Sequence, residues 1–526
     1  MRVVMRRWLD TPWRDRPLPL HPALVAAYPV LFLYQQNLGE LRPTDLLGPL
    51  VAIVLAALAA LLVGAYVMRD GRRAALVVTG LAAALLLYGH VAEILGPLAL
   101  RGAVLQVGWL VFLAVVVTVA LRVGTSRLAG LTRALNLVAA VLVAFVVVSI
   151  LPAELARADR GATSATSAPP IQGTGGTRRD IWYLVFDRYG SARSLELEYG
   201  IDDRPFLDGL RARGFQVAND SHANYVKTSL SLTATLDLDY LDGLAATLGP
   251  DSDDHGPVFE RLANHAVGRF LRDRGYAYVH VGSDYGPTET SPLATRNLWP
   301  RGPSQFVASL YDLSALPAIA RRLGISQATP ARERHHAVGR FQLDTLDALA
   351  SEPGPTFLFA HLLLPHPPYT FATDGSFVSD ETDAGLTNQE GYGQQLAYLQ
   401  TRIDALVDLL LARPEAQRPI IILQADEGPY PLAYARDTIG YDWATATGDE
   451  LEIKFGILNA MYLPGEGAPA LPSDLSAVNT FRLVLDAYFG ADLPLLMDRS
   501  FTSAGKFRPY DLTDVTDRLP SLRPAP

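Results

Sequence analysis

Two hydropathy regimes divide the chain. Up to about residue 152, Leu, Ala and Val dominate, and five apolar stretches lie at about 21–37, 46–68, 74–95, 104–121 and 134–152. Each is long enough, or nearly so, to cross the roughly 30 Å hydrocarbon core of a bilayer. Tyr34, Gln35, Gln36 and Asn37 crowd the end of the first stretch, so a surface-lying segment is the alternative there. A cleavable signal peptide is disfavoured, because a small-residue cleavage site is missing and further spans follow. Residues 154–178, ELARADRGATSATSAPPIQGTGGTR, are a Ser/Thr/Ala/Gly/Pro mixture that reads as a flexible tether. Beyond about residue 178 the pattern becomes short apolar runs separated by amphipathic ones. The predicted strands are 181–186, 276–281, 356–360, 420–425 and 456–463, and the clearest helical patterns are 205–214, 258–275 and 398–414. Buried strands alternating with helices predict an α/β domain whose mainly parallel sheet is covered on both faces. The expected organisation is a membrane bundle over 1–153, a linker over 154–178 and a second domain over 179–526.

Charge placement orients the bundle. Arg2, Arg6, Arg7, Arg14 and Arg16 precede the first stretch, Arg69, Arg72 and Arg73 follow the second, and Arg122, Arg127 and Arg133 follow the fourth. The alternate loops hold only Arg42 and Arg101. Arginine-rich loops stay cytoplasmic, so five spans place the C-terminal domain outside, in a multi-pass protein of the cell membrane. His90 and Glu93, near the outer end of the third stretch, read either as helix packing or as a head-group site. A net charge of −9 argues against a general nucleic-acid binder. The chain has no cysteine, which removes disulfides, thiolate metal sites and a cysteine nucleophile.

Ligands of parallel sheets bind beyond the carboxyl ends of the strands. Here those ends carry chemistry. Asp187 follows the first strand, Ser283 and Asp284 follow YAYVHV, His361 and then His366 follow TFLFA, and Asp426-Glu427 follow IIILQA. One such Asp is ordinarily a helix cap. Several on separate strands point to a metal or phosphate site, with carboxylates suiting Mg²⁺ or Mn²⁺ and imidazole adding Zn²⁺. Gly428 allows a tight turn beside the acids. Thr228, or Ser229 beside it, sits where a helix begins. There a hydroxyl is either an ordinary N-cap or a nucleophile facing free N–H groups that cradle a phosphoryl or sulfuryl group.

The strings WYLVFDRYGSARSL, ANYVKTSLSL, FLFAHLLLPHPPY, IIILQADEGPY, FGILNAMYLP and PYDLTDVTDRL occur in order over about 180–518. Together they resemble the sulfatase-like branch of the alkaline phosphatase superfamily. Membrane spans followed by such a domain are similar to lipoteichoic acid synthases and phosphoethanolamine transferases. The resemblance implies a Thr nucleophile, falling on Thr228, that takes a phospho-head-group from a phospholipid or lipid-linked donor. It passes the group to a glycan or polymer of the cell envelope. It also implies one divalent ion held by Asp187, Thr228 and Asp426. The family's Asp-His-Gly is here Asp426-Glu427-Gly428, so Glu427 is the expected fourth ligand and shifts the expected metal from Zn²⁺ toward Mn²⁺ or Mg²⁺. His366 resembles the position that holds the transferring group. His361, Lys227 and Arg188 are expected substrate contacts. TSLSLT lacks the Cys/Ser-x-Pro/Ala-x-Arg pattern from which sulfatases make formylglycine. Besides transfer, two readings stay open: an ester hydrolase on the same scaffold, and a non-catalytic binding protein.

Overall fold

A computed structural model describes residues 17–95, 103–161, 171–173, 175–300, 302–323, 330–437, 441–504 and 508–520. The chain divides into two compact units, Met1–Ser164 with Pro303–Pro330, and Ala165–Gly302 with Ala331–Pro526.

Among the described residues of the first unit, three helices are long and apolar enough to cross a membrane: Pro43–Met68, Val104–Arg122 and Thr125–Ala158. They leave large apolar side chains uncovered, among them Leu62 (72 % exposed) and Phe145 (77 %), as suits helices solvated by lipid. The other two expected spans are helical but shorter. His21–Gln36 has 16 residues, and the third stretch is split into Gly71–Leu86 and Tyr88–Leu95. At 1.5 Å per residue, 16 residues rise only about 24 Å. Side chains close the helix ends. Asn136 Oδ1 accepts from Leu20 and His21 N–H (both 2.9 Å), and Arg73 donates to the carbonyls of Leu121 (2.6 Å) and Val123 (3.1 Å). His90 lies edge-on to Phe32 (centroids 5.6 Å), a packing contact; the Glu93 side chain lies outside the described residues.

The expected tether is shorter than 154–178. The helix Thr125–Gly161 runs into it, pinned by Tyr34 Oη donating to Glu154 (2.6 Å) and Arg157 donating to Glu154 (2.9 Å) and to the Leu38 carbonyl (2.6 Å). At the other end, Gly175 N–H donates to the Phe489 carbonyl (2.8 Å), so that stretch is docked on the second unit.

The second unit is built on a seven-stranded sheet in the order β2-β7-β6-β1-β5-β3-β4. The strands are β1 Ile181–Phe186, β2 Gln216–Val217, β3 Ala277–Val281, β4 Arg296–Leu298, β5 Thr356–Leu362, β6 Ile420–Gln424 and β7 Asn459–Tyr462. β6, β1, β5, β3 and β4 are parallel; at one edge β7 runs antiparallel to β6, and β2, antiparallel to β7, runs with the other five. Strand alternation sorts the core. Trp182, Leu184 and Phe186 pack with Leu343, Leu346, Leu399 and Ile403 on one face, and Ile181, Tyr183 and Val185 pack with Phe270, Leu271, Phe481 and Leu485 on the other. The run 258–275, read as one helical pattern, is two helices, Gly256–Ala263 and Ala266–Asp273. His265 breaks it by capping the second, its Nδ1 accepting from Gly268 N–H (3.0 Å).

Candidate metal centre

β1 lies at the middle of the sheet with β5 and β6 on either side, in register Val185↔His361 and Val185↔Gln424. Three neighbouring parallel strands therefore end together. Asp187 is one residue past β1, Asp426 two past β6, and His361 sits in the last turn of the β5 pleat. Their potential ligand atoms all lie within 4.8 Å of one another, and all three residues are buried. Asp187 Oδ1, both Asp426 carboxylate oxygens and His361 Nε2 have no hydrogen-bond partner. Buried acceptors are normally paired, and a cluster of unpartnered ones suits a cation.

The electrostatics agree. Burial, the Asp426 charge and, more weakly, Glu427 raise Asp187 well above the carboxylate range, against the pull of Arg188 and Lys454. Burial and the adjoining Glu427 charge push Asp426 up to about 7. Burial holds His361 down at about 3, so its 3.9 Å approach to Asp187 is not an ion pair. His361 Nδ1 lies 2.9 Å from Thr288 Oγ1, whose own proton can go to the Tyr285 carbonyl (3.3 Å). Assigning the imidazole proton to Nδ1 leaves the Nε2 lone pair facing the two carboxylates, the arrangement of a metal-ligating histidine. Gln342 Nε2 donates to the His361 carbonyl (2.8 Å) and fixes the strand from behind.

Thr228 is the first residue of the helix Thr228–Asp237, and Lys227 before it is extended (φ −134°, ψ 131°). The first N–H groups of a helix have no intrahelical acceptor. Thr228 is half-buried and Ser229 buried. The Thr228 hydroxyl favours the charged form of Asp426. No hydrogen bond of regular geometry joins them, since both Asp426 oxygens are unpartnered. The segment is held rigidly: Asn224 donates to the Arg499 carbonyl (2.8 Å) and accepts from Val478 N–H (2.7 Å), and Ser231 Oγ donates to the Tyr225 carbonyl (3.0 Å).

Glu427 stands outside the converging trio. Its Oε1 pairs with Lys454 Nζ (2.8 Å) and, more loosely, with Arg188 Nε (3.4 Å), while Oε2 is buried without a partner. Lys454, fully buried, also donates to the Gly428 carbonyl (3.2 Å) and lies 3.6 Å from the centre of the Tyr430 ring. Arg188 stacks on that ring at 4.2 Å. Its backbone is left-handed (φ 64°), costly for a side chain of this size, and its carbonyl accepts from Tyr392 Oη (2.8 Å). Asp187, Asp426 and Glu427 thus face Arg188 and Lys454, a net −1 when all are ionised, which one divalent ion turns to +1.

His366 is half-buried outside the trio. Its ring bonds to the Pro367 carbonyl, and burial, with Arg188 nearby, keeps it well below the usual imidazole range. Lys227 is half-buried beside Thr228. Ser283 accepts from Tyr285 N–H (3.1 Å) and lies 2.6 Å from Thr288 Oγ1, on the far side of the His361 imidazole. Sequence reasoning missed Lys454, Tyr430 and Thr288. The one available signal was Lys454 itself, a lone cation between Ile453 and Phe455 just before an apolar strand.

No protein-family model matches the chain, and no curated protein matches it significantly. Solved structures do. The C-terminal periplasmic domain of EcEptC from Escherichia coli aligns at 14 % identity and TM-score 0.43, over 67 % of this chain and 98 % of that one. The integral membrane lipooligosaccharide phosphoethanolamine transferase A (EptA) from Neisseria meningitidis aligns at 15 % and 0.39, over 89 % and 94 %. The phosphonate monoester hydrolase of Agrobacterium radiobacter aligns at 14 % and 0.38, over 62 % and 80 %. With TM-scores under 0.5, these likenesses do not define a function for this chain.

Proposed function

We propose that the chain is a membrane-bound, metal-dependent phosphotransferase that moves a phospho-head-group, phosphoglycerol or phosphoethanolamine in kind, from a phospholipid to a cell-envelope acceptor. The observation carrying this reading is the set of buried, unpartnered acceptors on Asp187, Asp426 and His361, with the Thr228 hydroxyl at a helix start beside Asp426. We assign Asp187, Asp426 and His361 as ligands of one divalent ion, with Thr228 as nucleophile. The ion would polarise the phosphoryl oxygens and favour the alkoxide form of the threonine. The expectation of Mn²⁺ or Mg²⁺ rested on Glu427 as a ligand; two carboxylates and an imidazole suit Mn²⁺ and Zn²⁺ alike, and Mg²⁺ less.

Each remaining step belongs to the protein. Thr228 Oγ attacks the donor phosphorus, the bond from phosphorus to the lipid oxygen breaks, and the lipid leaves as an alcohol with the proton that Thr228 gives up. An acceptor hydroxyl then attacks the phosphothreonine, the bond from phosphorus to Thr228 Oγ breaks, and the proton the acceptor gives up restores the Thr228 hydroxyl. Arg188, stacked on Tyr430, and the free N–H groups at the start of the helix Thr228–Asp237 meet the anionic oxygens. His366, whose imidazole feels the Arg188 charge, is assigned to hold the transferring group beside it. Five spans, the last running into the tether, would put the domain outside the membrane, where lipid donor and envelope acceptor meet.

The test is mass spectrometry of the full chain after incubation with phospholipid and Mn²⁺ or Zn²⁺. A head-group phosphate on Thr228, absent from Thr228→Ala together with turnover, is the expected result. Undiminished turnover in Thr228→Ala refutes the nucleophile. Release of the head-group phosphate to water, unchanged by added acceptor, would instead make the protein a hydrolase.

A further inference from the structure

Residues 303–330 follow β4 and precede the helix Ala331–Leu349 of the second unit, yet they belong to the first. They form two eight-residue helices, Gln305–Asp312 and Leu316–Leu323. Their attachment is specific. Gly89 N–H donates to the Leu313 carbonyl (2.8 Å), and Ala315 N–H donates to the Leu85 carbonyl (2.7 Å). A Cβ at Gly89 would meet the Leu313 carbonyl oxygen at 2.6 Å, so the two backbones touch there because residue 89 is glycine. Phe306 is buried in a cluster with Val30, Leu31, Tyr34 and Ile150, and Arg322 donates to Gln106.

All these contacts fall at one level of the helical unit. Leu85 lies at the far end of the helix Gly71–Leu86, which begins with Arg72 and Arg73, and Gly89 in the short helix after it. Gln106 lies at the start of the helix that ends at Arg122, Tyr34 near the end of His21–Gln36, and Ile150 past the middle of Thr125–Gly161, beyond Arg127 and Arg133. The hairpin thus sits at the arginine-poor ends of the spans. It does not cover its own apolar surface: Leu316, Ile319 and Leu323, at i, i+3 and i+7, are 43 %, 41 % and 65 % exposed. The spans leave apolar side chains uncovered as well, and this helix also carries the exposed cation Arg322. An amphipathic helix of that kind lies in the membrane interface with its apolar face among the acyl chains.

We propose that the hairpin Gln305–Leu323 is a lipid-surface anchor: the interrupted domain sends it into the leaflet at the arginine-poor side, with Leu316, Ile319 and Leu323 facing lipid. The inference needs the first unit to be a membrane body but not the catalytic reading. The chain's lack of cysteine makes the test clean. Single variants Ile319→Cys and Leu323→Cys of the full chain carry an environment-sensitive fluorophore in phosphatidylcholine/phosphatidylglycerol nanodiscs. Leu62→Cys in a span and Glu381→Cys on the second unit are the references. The expected result is at least about twofold quenching of the 319 and 323 probes by shallow nitroxide lipids, with little quenching by aqueous iodide. Iodide quenching at 319 and 323 equal to that at 381, while the 62 probe is quenched by lipid, overturns the anchor alone. Shielding from both quenchers with energy transfer between labelled copies also overturns it, in favour of a protein contact. A 62 probe unquenched by lipid removes the membrane reading and the anchor with it.

Discussion

Lys454→Met tests whether charge neutralisation beside the metal centre organises this rim. Lys454 is fully buried and makes its closest contact, 2.8 Å, with Glu427 Oε1. At that distance and an effective dielectric near 20, the gross attraction is about 6 kcal/mol, most of it offset by desolvation of the two ions. Methionine keeps the bulk and the packing on Tyr430 but leaves Glu427 with only the looser 3.4 Å contact from Arg188. Breaking a buried pair costs about 3–5 kcal/mol, and the remaining guanidinium puts this case near 3. For a domain of this size that is a fall in Tm of about 4 °C. Adding Glu427→Gln removes the stranded charge, so Lys454→Met/Glu427→Gln should recover most of the loss. The assay is a thermal-melt double-mutant cycle on the full chain, chelated and metal-loaded. If the two substitutions add without coupling, the pair does not organise the rim and the account of Glu427 given above is refuted.

Asp426→Asn should lose at least about tenfold in metal affinity, read by metal analysis after dialysis. It should also raise the Tm of the chelated protein, because burial and Glu427 disfavour its charge there; a lower Tm would contradict that electrostatic picture. Gly428→Ala would put a Cβ 2.3 Å from the Ile453 carbonyl oxygen and 2.9 Å from that of Gly456, both backbone atoms. The turn after Asp426 must then move, and both stability and activity should fall; a neutral outcome would show that the turn yields. His265 and His280 are buried and neutral, lowered by burial to about 3 and about 4. The unfolded chain therefore binds more protons than the folded one between those values and about 6.5, so these groups' contribution to stability falls as pH drops through that window. The slope approaches about 1.4 kcal/mol per pH unit for each group. His280→Gln should flatten the melt-versus-pH curve relative to the parent, and an unchanged slope would refute the assignment.

Periodicity alone carried much of this. The apolar runs at 181–186, 276–281, 356–360 and 420–425 are strands because each is continuous, short and followed by polar residues, and their burial on both faces follows from that composition. The same local reading placed Asp187 and Asp426 just past strand ends and Thr228 at a helix start. Local pattern does not reveal which strands are neighbours. The order β6-β1-β5 is what brings His361 to Asp187 and Asp426, whereas along the chain nothing distinguishes it as a ligand from His366 five residues on. Nor does it reveal partners. Glu427 reads as a neighbour of Asp426 alone, and only the fold brings Lys454, 27 residues on, within 2.8 Å of its Oε1. Likewise, the 303–330 stretch lies inside the second domain by sequence, and only packing assigns it to the helical unit. The physical reason is common to all three cases: hydrophobic period is a property of neighbours along the chain, whereas a coordination shell, an ion pair and a docked hairpin are set by distances across it.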